Sequence, residues 1–285
     1  MRSRRFTGAD IVRQIVVTIV LLAFMFPIFW MILTSFKSSG DILVSPPRWV
    51  FTPTLDNYVY AFQSANFTQY IRNTVIVALG STVIVVPTAA LASYGFARYN
   101  TGGGNLMFFI LTTRMMPAIA VVLPFFLIFK TVGGTDIGNT LQLGLDQLGT
   151  LVVSYTIFNM PFAIWLMHSF FQDIPAELED SARLDGYGRL QVLRRVVLPL
   201  ATPGIAVTTI FCVLFSWNEY LFASILTRSE AKTITVGVGD FWTQQGVLWG
   251  PLSAAAVVCV IPMILFALML QRYIVRGLTF GAVRG

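Results

Sequence analysis

Two charges stand where an apolar chain can least accommodate them. Arg114 interrupts the apolar run 105–129, and Glu219 interrupts the run 201–227. A charge in such a run faces a packed interior or a wet cavity, and it marks a place where a polar ligand or partner is met. Glu219 stands within Trp217, Asn218, Glu219 and Tyr220. A carboxylate, an amide and two aromatic faces suit a hydroxyl-rich ligand. Asn159, two residues before Pro161, adds a weaker candidate amide. Arg114 offers a planar cation that can bind an anionic group, line a cavity or pair with another subunit. At 1.5 Å per residue the two charges lie about 14 Å and about 27 Å from the same face, so no direct ion pair between them is expected. Catalytic chemistry finds less support. His168 is the single histidine, no H-E-x-x-H or Ser/His/Asp set is present, and a structural histidine is the expected reading. Cys212 and Cys259 fall inside apolar runs and read as inert thiols; no metal-ligand set is legible.

The elements that must hold these residues follow from composition. The chain has 285 residues, 56% hydrophobic and 11% charged, with a mean hydropathy of +0.74. Too few polar residues exist to clothe a soluble core of this length. The apolar residues are blocked into runs of about 20, the length that crosses a hydrocarbon layer of about 30 Å. The expected fold is an all-α membrane protein, a single transmembrane domain over residues 1–285. Six spans are expected, at about 14–36, 73–96, 105–129, 148–171, 201–227 and 252–274. Each carries proline: Pro27, Pro87, Pro117 and Pro124, Pro161, Pro203, Pro262. Membrane helices tolerate proline, and kinked helices also rearrange around a pathway; both readings stay open. The first run ends in Lys37 with no small-residue cleavage site, so it reads as a retained span, not a signal peptide.

A net charge of +6 does not imply nucleic acid here, because the basic residues cluster at the ends of apolar runs. With a cytoplasmic N-terminus, twelve of the 19 Lys and Arg fall inside and six outside. That bias predicts both termini in the cytoplasm. The outside loops are then about 37–72, 130–147 and 228–251, and segment 172–200 is cytoplasmic.

Segment 172–200 contains "ELEDSARLDG", Glu177 to Gly186, the most charged stretch of the chain. Asp173 can cap a helix entered at Pro175, with Glu177, Glu179 and Asp180 in its first turns, where acids suit the helix dipole. Gly186 and Gly188 can end it. A second amphipathic piece places Leu190, Leu193, Val196 and Val197 on one face, with Arg189, Arg194 and Arg195 elsewhere. This helix–turn–helix elbow is either a solvated surface feature with arginine anchors or a docking element for a groove on a partner.

The stretch "EDSARLDGYGRLQVLRRVVLP" resembles the EAA signature of ABC importer permeases. Asp180, Ser181 and Ala182 fill its first three places, Gly186 its glycine, and Val196, Leu198 and Pro199 its ending. Asp for Glu and Ser for Ala depart mildly from the pattern. "SPPRWVFTPTLDNY", "NMPFAIWLMHSFFQDIP", "FSWNEYLFA" and "QRYIVRGLTFGAVRG" are similar, in order and spacing, to carbohydrate permeases of the maltose type, and the glycine-terminated tail to their smaller-subunit branch. The resemblance implies a six-span type I permease fold in the bacterial inner membrane. It also implies a second, different permease subunit, an ATPase dimer and an extracytoplasmic solute-binding protein as partners, besides membrane lipid and with no nucleic acid. The elbow would be the coupling helix, with Glu179, Asp180, Ser181, Ala182, Asp185, Gly186, Leu198 and Pro199 meeting the ATPase. Arg114, Asn159, Trp217, Asn218, Glu219 and Tyr220 would be candidates for the substrate path, and Phe241, Trp242, Gln244 and Gln245 for contact with the binding protein. Residues 277–285 would enter the ATPase interface. No G-x-x-x-x-G-K-[ST] loop is present, so this chain would hold no cofactor and ATP with Mg would sit in the partner ATPases. A self-powered carrier or channel is the competing class; it would show inverted repeats and midplane ion ligands, and neither is legible. A membrane-embedded enzyme is a third.

Overall fold

The computed structural model describes the backbone of residues 8–281 and the side chains of residues 8–271. The expected tail contact at residues 277–285 lies outside the described side chains. The long elements are helices: α1 Gly8–Ser35, α2 Phe67–Tyr99, α3 Gly103–Met115, α4 Ala118–Val132, α5 Asp136–Leu141, α6 Leu148–Gln172, α7 Ala176–Leu184, α8 Arg189–Leu200, α9 Thr202–Asn218, α10 Leu221–Leu226 and α11 Trp249–Gly281. One two-stranded antiparallel ribbon, β1 Trp242–Thr243 and β2 Gly246–Val247, precedes α11.

Among the described residues four helices, α1, α2, α6 and α11, are long and apolar enough to cross a membrane unbroken. The pairs α3–α4 and α8–α9 bring the number to six if each bent pair counts as one span. The third expected span is therefore corrected: it breaks into two helices at 88° to one another. The cause is local. Met116 precedes Pro117, whose ring excludes the helical backbone from the residue before it, and Met116 is extended at ψ 135°. The fifth expected span, 201–227, begins as expected, at the 74° turn between α8 and α9, but it is interrupted where Glu219 goes extended (φ −69°, ψ 127°) between α9 and α10.

The chain divides into two compact units. One comprises residues 8–67 and 238–261, the other residues 68–237 and 262–281. In the second, α2, α6 and α9 carry the core. Val77 packs with Leu151 and Phe222, then Val85 and Ala89 with Ala163 and Cys212, then Tyr94 with Phe171 and Ala182. Numbers rise together along α2 and α6 and fall along α9, so the first two run parallel and the third opposes them. Small polar residues join them, as suits helices that gain nothing from hiding apolar surface from lipid. Ser81 Oγ meets Ser216 Oγ at 3.2 Å, and Ser93 Oγ donates to the Ile164 carbonyl at 2.8 Å. At Gly204 α9 comes close to α6: a Cβ there would fall 2.4 Å from the Phe170 ring.

In the first unit, the apolar window of α1 is wholly exposed within the chain, as expected of a helix facing lipid or a partner. The loop after it is anchored by Asn57, whose Nδ2 donates to the carbonyls of Ser35 (2.9 Å) and Lys37 (2.8 Å).

Candidate functional site

The elbow is built as the spacing predicts, with one change at its entrance. Asp173 does not cap α7; it closes α6 with helical backbone, and Pro175 takes the capping position. Proline at that point already fixes the turn, so no side-chain cap is made. The exit is a Schellman closure: Gly186 N–H bonds the Arg183 carbonyl and Tyr187 N–H the Ala182 carbonyl. Gly186 sits at φ +88°, which only glycine adopts without strain.

Glu179 is the element that sequence reasoning placed but did not understand. It is 2% exposed, although grouped with the surface acids of α7. Tyr94 Oη donates to its Oε2 at 2.7 Å, Arg98 Nε donates to Oε1, and Arg183 pairs with it at 3.7 Å. Arg98 Nη2 also donates to the Ile174 carbonyl at 2.7 Å. One carboxylate thus ties the elbow to the last two turns of α2. The legible signal was Tyr94 and Arg98 four residues apart on one helix face; their partner 81 residues further on was not.

Around this clamp the other signature residues divide. Ala182 is buried against Tyr94 and Phe171, whereas Asp180, Ser181, Asp185 and Gly186 are exposed. Leu198 is half-buried and Pro199 exposed. Leu193 and Val197 are buried and Val196 is half-buried, but Leu190, expected on the same face, is 74% exposed. A π turn over Leu193–Val197 widens the helix there; Val192, just before it, stays in the packed core, and Leu190 falls on the solvent side. Leu184, at the end of α7, is 90% exposed. The elbow therefore ends in two bare leucines, Leu184 and Leu190, beside Tyr187 and the cations Arg189, Arg194 and Arg195.

The candidate path residues are not gathered into one site. Arg114 Nη1 donates to the Phe158 carbonyl at 2.6 Å, and its guanidinium lies 3.7 Å from the Phe158 ring centre and 5.4 Å from that of Phe215. Pro161, three residues on, has no N–H for the neighbouring Ile157 carbonyl, so this turn of α6 is weakened where Arg114 joins it. No carboxylate pairs with Arg114 among the described residues. It lines a cavity of about 130 Å³ with Thr113, Ser154 and Phe222. Asn159 is buried and donates to Ser216 Oγ at 3.0 Å. Trp217 is buried; Asn218 and Tyr220 are exposed. Glu219 starts α10, accepting from the N–H groups of Phe222 (3.1 Å) and Ala223 (3.2 Å). Glu219 and Arg114 are not paired, as their expected depths require. Replacing Arg114 by glutamine removes the brace between α3 and α6, since the shorter amide cannot reach carbonyl and ring together. The expected result is a thermal midpoint lower by several degrees, with no selective loss of anionic over neutral solutes. Equal midpoints with selective loss of anionic uptake would assign Arg114 to the ligand.

Of the candidate binding-protein contacts, Phe241 is corrected. It is 1% exposed, turned inward by the 3₁₀ turn Val238–Phe241 onto the Phe67 ring at 6.1 Å. Trp242, Gln244 and Gln245 are exposed, the two glutamines forming the two-residue tip of the β1–β2 ribbon.

Sequence reasoning also passed over Asp146, between α5 and α6. Its carboxylate accepts the backbone N–H groups of Arg228, Ser229, Glu230 and Ala231, all within 3.2 Å. Burial pushes its pKa up, but these four N–H groups outweigh it and hold the carboxyl at about 2, from an ordinary 3.8. A depressed pKa means that the clasp contributes fully above pH 4 or so and is lost as pH falls through about 2. Asp146→Asn should cost about 1–2 kcal/mol, after screening at this partly exposed position. Faster hydrogen exchange at residues 228–231, with exchange in α6 unchanged, is the expected reading. Unchanged exchange at 228–231 would rule the clasp out.

Helices long and apolar enough to cross a membrane, packed through buried polar groups and joined by an ordered elbow on a buried carboxylate, define a polytopic membrane protein. Residues 85–280 match the family described as binding-protein-dependent transport system inner membrane component. The chain is 38% identical over 261 residues to the probable ABC transporter permease protein y4oR of Sinorhizobium fredii, covering 92% of this chain and 91% of that one. It is 33% identical over 266 residues to the trehalose/maltose transport system permease protein MalG of Thermococcus litoralis, covering 92% of each. This chain belongs to the permease family of binding-protein-dependent ABC transporters. Its fold is that of the crystal structure of a bacterial ABC transporter involved in the import of the acidic polysaccharide alginate, with TM-score 0.72, 24% identity, and coverage of 95% of this chain and 99% of that one.

Proposed function

We infer that this chain is one of two different permease subunits of an importer for a sugar, oligosaccharide or polyol, with both termini in the cytoplasm. ATP and Mg would bind on separate ATPase subunits. An extracytoplasmic binding protein would deliver the solute, and Trp242, Gln244 and Gln245 at the ribbon would meet it. The observation that carries the reading is the elbow: a helix fixed from behind by Glu179 and presenting two bare leucines outward, the form of an element that docks in a partner's cleft. The carbohydrate class rests on likeness to permeases named for trehalose and maltose.

The mechanism follows from the clamp. Closure of the ATPase dimer would move α7, and Glu179 would pass the displacement to Arg98 and Tyr94 at the end of α2. Helices α2, α6 and α9 share one packed core, so they would shift as a body and switch the open side of the path. Exposed Asn218 and Tyr220, with half-buried Glu219, supply groups for a hydroxyl-rich solute on that path. The test is ATP hydrolysis by the assembled complex in lipid, across a panel of sugars, polyols and sugar acids. Stimulation that requires both the binding protein and one ligand supports the reading. Solute movement by this chain alone, driven by a gradient, defeats it.

A further inference from the structure

The first compact unit holds a cation that the transport reading does not use. Lys37 follows the last turn of α1 and is 2% exposed. Its ammonium lies 4.5 Å from the Trp30 ring centre and 5.2 Å from that of Phe51, within the range where aromatic faces stabilise a cation. No carboxylate pairs with it among the described residues. Nearby Asp41 is already taken, accepting from Arg48 Nη1 at 2.7 Å and from Ser38 Oγ at 2.8 Å. The position is held firmly, because Asn57 binds the Lys37 carbonyl and Thr54 N–H the Phe36 carbonyl.

Lys37 lines a cleft of about 510 Å³. From there the cleft runs along α1 past Trp30 and Met31 to Pro27, and along α11 past Trp249, Leu252 and Ala256. Pro27 to Ser35 is about 12 Å of helix, close to half the thickness of a hydrocarbon layer. The cleft thus starts at the end of a span, at headgroup depth, where Trp30 and Trp249 also belong. It continues as a furrow into the acyl region, beside an α1 surface that is exposed and apolar. Among the described residues, the other polar groups lining it are the indoles of Trp30 and Trp249 and the hydroxyls of Thr34 and Ser253, and Thr34 already donates to the Trp30 carbonyl. A hydroxyl-rich solute would find few partners here. A ligand with one negative charge and an apolar tail matches both halves of the cleft.

We propose that this cleft binds an anionic phospholipid, with the headgroup phosphate on Lys37 Nζ and one acyl chain along Pro27, Met31, Leu252 and Ala256. A buried lysine with no ion-pair partner among the described residues would then be satisfied by lipid, in the way that basic pockets between membrane helices take phosphate headgroups.

The test uses the full chain purified with its partner subunits, stripped of lipid and titrated by native mass spectrometry. The probes are phosphatidylglycerol, phosphatidylcholine with the same acyl chains, and inorganic phosphate as competitor. The expected result is one phosphatidylglycerol bound about fivefold more weakly by Lys37→Gln than by the natural chain, with Lys37→Arg restoring it. Ala256→Phe fills the furrow, keeps the ammonium, and should also lose the lipid; it decides the matter where Lys37→Gln fails to fold. Equal retention by Lys37→Gln and the natural chain overturns the proposal. So does equal binding of the two lipids, or displacement of the lipid by equimolar inorganic phosphate. A carbodiimide cross-link from Lys37 to a carboxylate on a partner subunit overturns it as well, since the counter-ion would then be protein.

Discussion

Glu179→Ala is expected to abolish at least nine-tenths of ATP-driven uptake while the chain still enters the membrane. The reason is what the carboxylate leaves behind. Arg98 and Tyr94 both point at it from α2, and Arg98 is only 12% exposed at its side chain. Removing one partner of a buried pair strands the other charge, at a cost of about 3–5 kcal/mol. Helix α7 has nine residues, too few to hold itself in water without packing. Its attitude depends on this carboxylate and on Ala182. The spans are set by their own length and hydropathy, so insertion should be unaffected and the loss confined to transmission. Glu179→Asp keeps the charge and withdraws it by one carbon, and should fall between. The decisive comparison is the double variant Glu179→Met with Arg98→Met. Two apolar side chains of similar volume leave no stranded charge, so the double variant should be more stable than either single one, short of the natural chain by the Tyr94 hydroxyl and Ile174 carbonyl that lose their partners, about 1–3 kcal/mol. Non-additivity of that kind, read in thermal midpoints and in hydrogen exchange of residues 176–184, is the signature of direct coupling. Additive single effects would show that Glu179 and Arg98 act separately, and the clamp would have to be abandoned.

The clamp also shows where sequence reading stops. The polar elbow was legible because an acidic first turn, a glycine exit and a proline near the end of the second helix follow from local chemistry. Its inward side was not. Glu179 and Asp180 are adjacent acids, and only the burial of Ala182 one turn on tells which of them turns inward. The six apolar runs were legible for the same local reason, since length and hydropathy decide what can cross a bilayer. The breaks were not. Every run carries proline, yet α2 continues through Pro87 and α6 through Pro161, whereas the chain turns by 88° at Pro117. Near Pro161, Arg114 from α3 donates to the Phe158 carbonyl in the disturbed turn. That donor comes from another helix, so a window sliding along the sequence cannot see it. Lys37 and Asp146 were hidden by the opposite error. Both lie in loops; Lys37 was only counted among the outside cations and Asp146 was passed over, but one is enclosed by rings and the other by backbone N–H groups. Phe241 failed similarly: an aromatic in a loop looked like a ligand contact, and the 3₁₀ turn buries it.

The second large effect concerns the outer side of the elbow. Leu184→Asp together with Leu190→Asp should separate the ATPases from the permease without unfolding it. Both side chains are already in solvent within this chain, at 90% and 74% exposure, so exchanging them for aspartate alters its own stability by no more than about 0.5 kcal/mol per site. If they seat in a cleft of the ATPase, the accounting is different. Burying a leucine side chain is worth about 1.5–3 kcal/mol, and a buried aspartate with no partner adds a desolvation cost. Two such sites weaken association by at least about 3 kcal/mol, more than a hundredfold. Co-purification of the ATPase subunits should then fail, and hydrolysis by any that remain should no longer respond to the binding protein. Leu265→Asp is the wrong control, because it places a charge in a span. Thr140→Ala is the right one: its exposed hydroxyl returns to the Asp136 carbonyl at 2.9 Å, on α5 and outside the elbow, and the complex should stay intact. Retained ATPases with normal stimulation in the double aspartate variant would mean that the leucines face water throughout the cycle. The docking surface would then lie on the charged flank of α7, at Asp180 and Asp185, and coupling would be electrostatic and sensitive to salt. The same purification repeated at low and high ionic strength separates these outcomes: an apolar seat strengthens or holds as salt rises, and a charged one weakens.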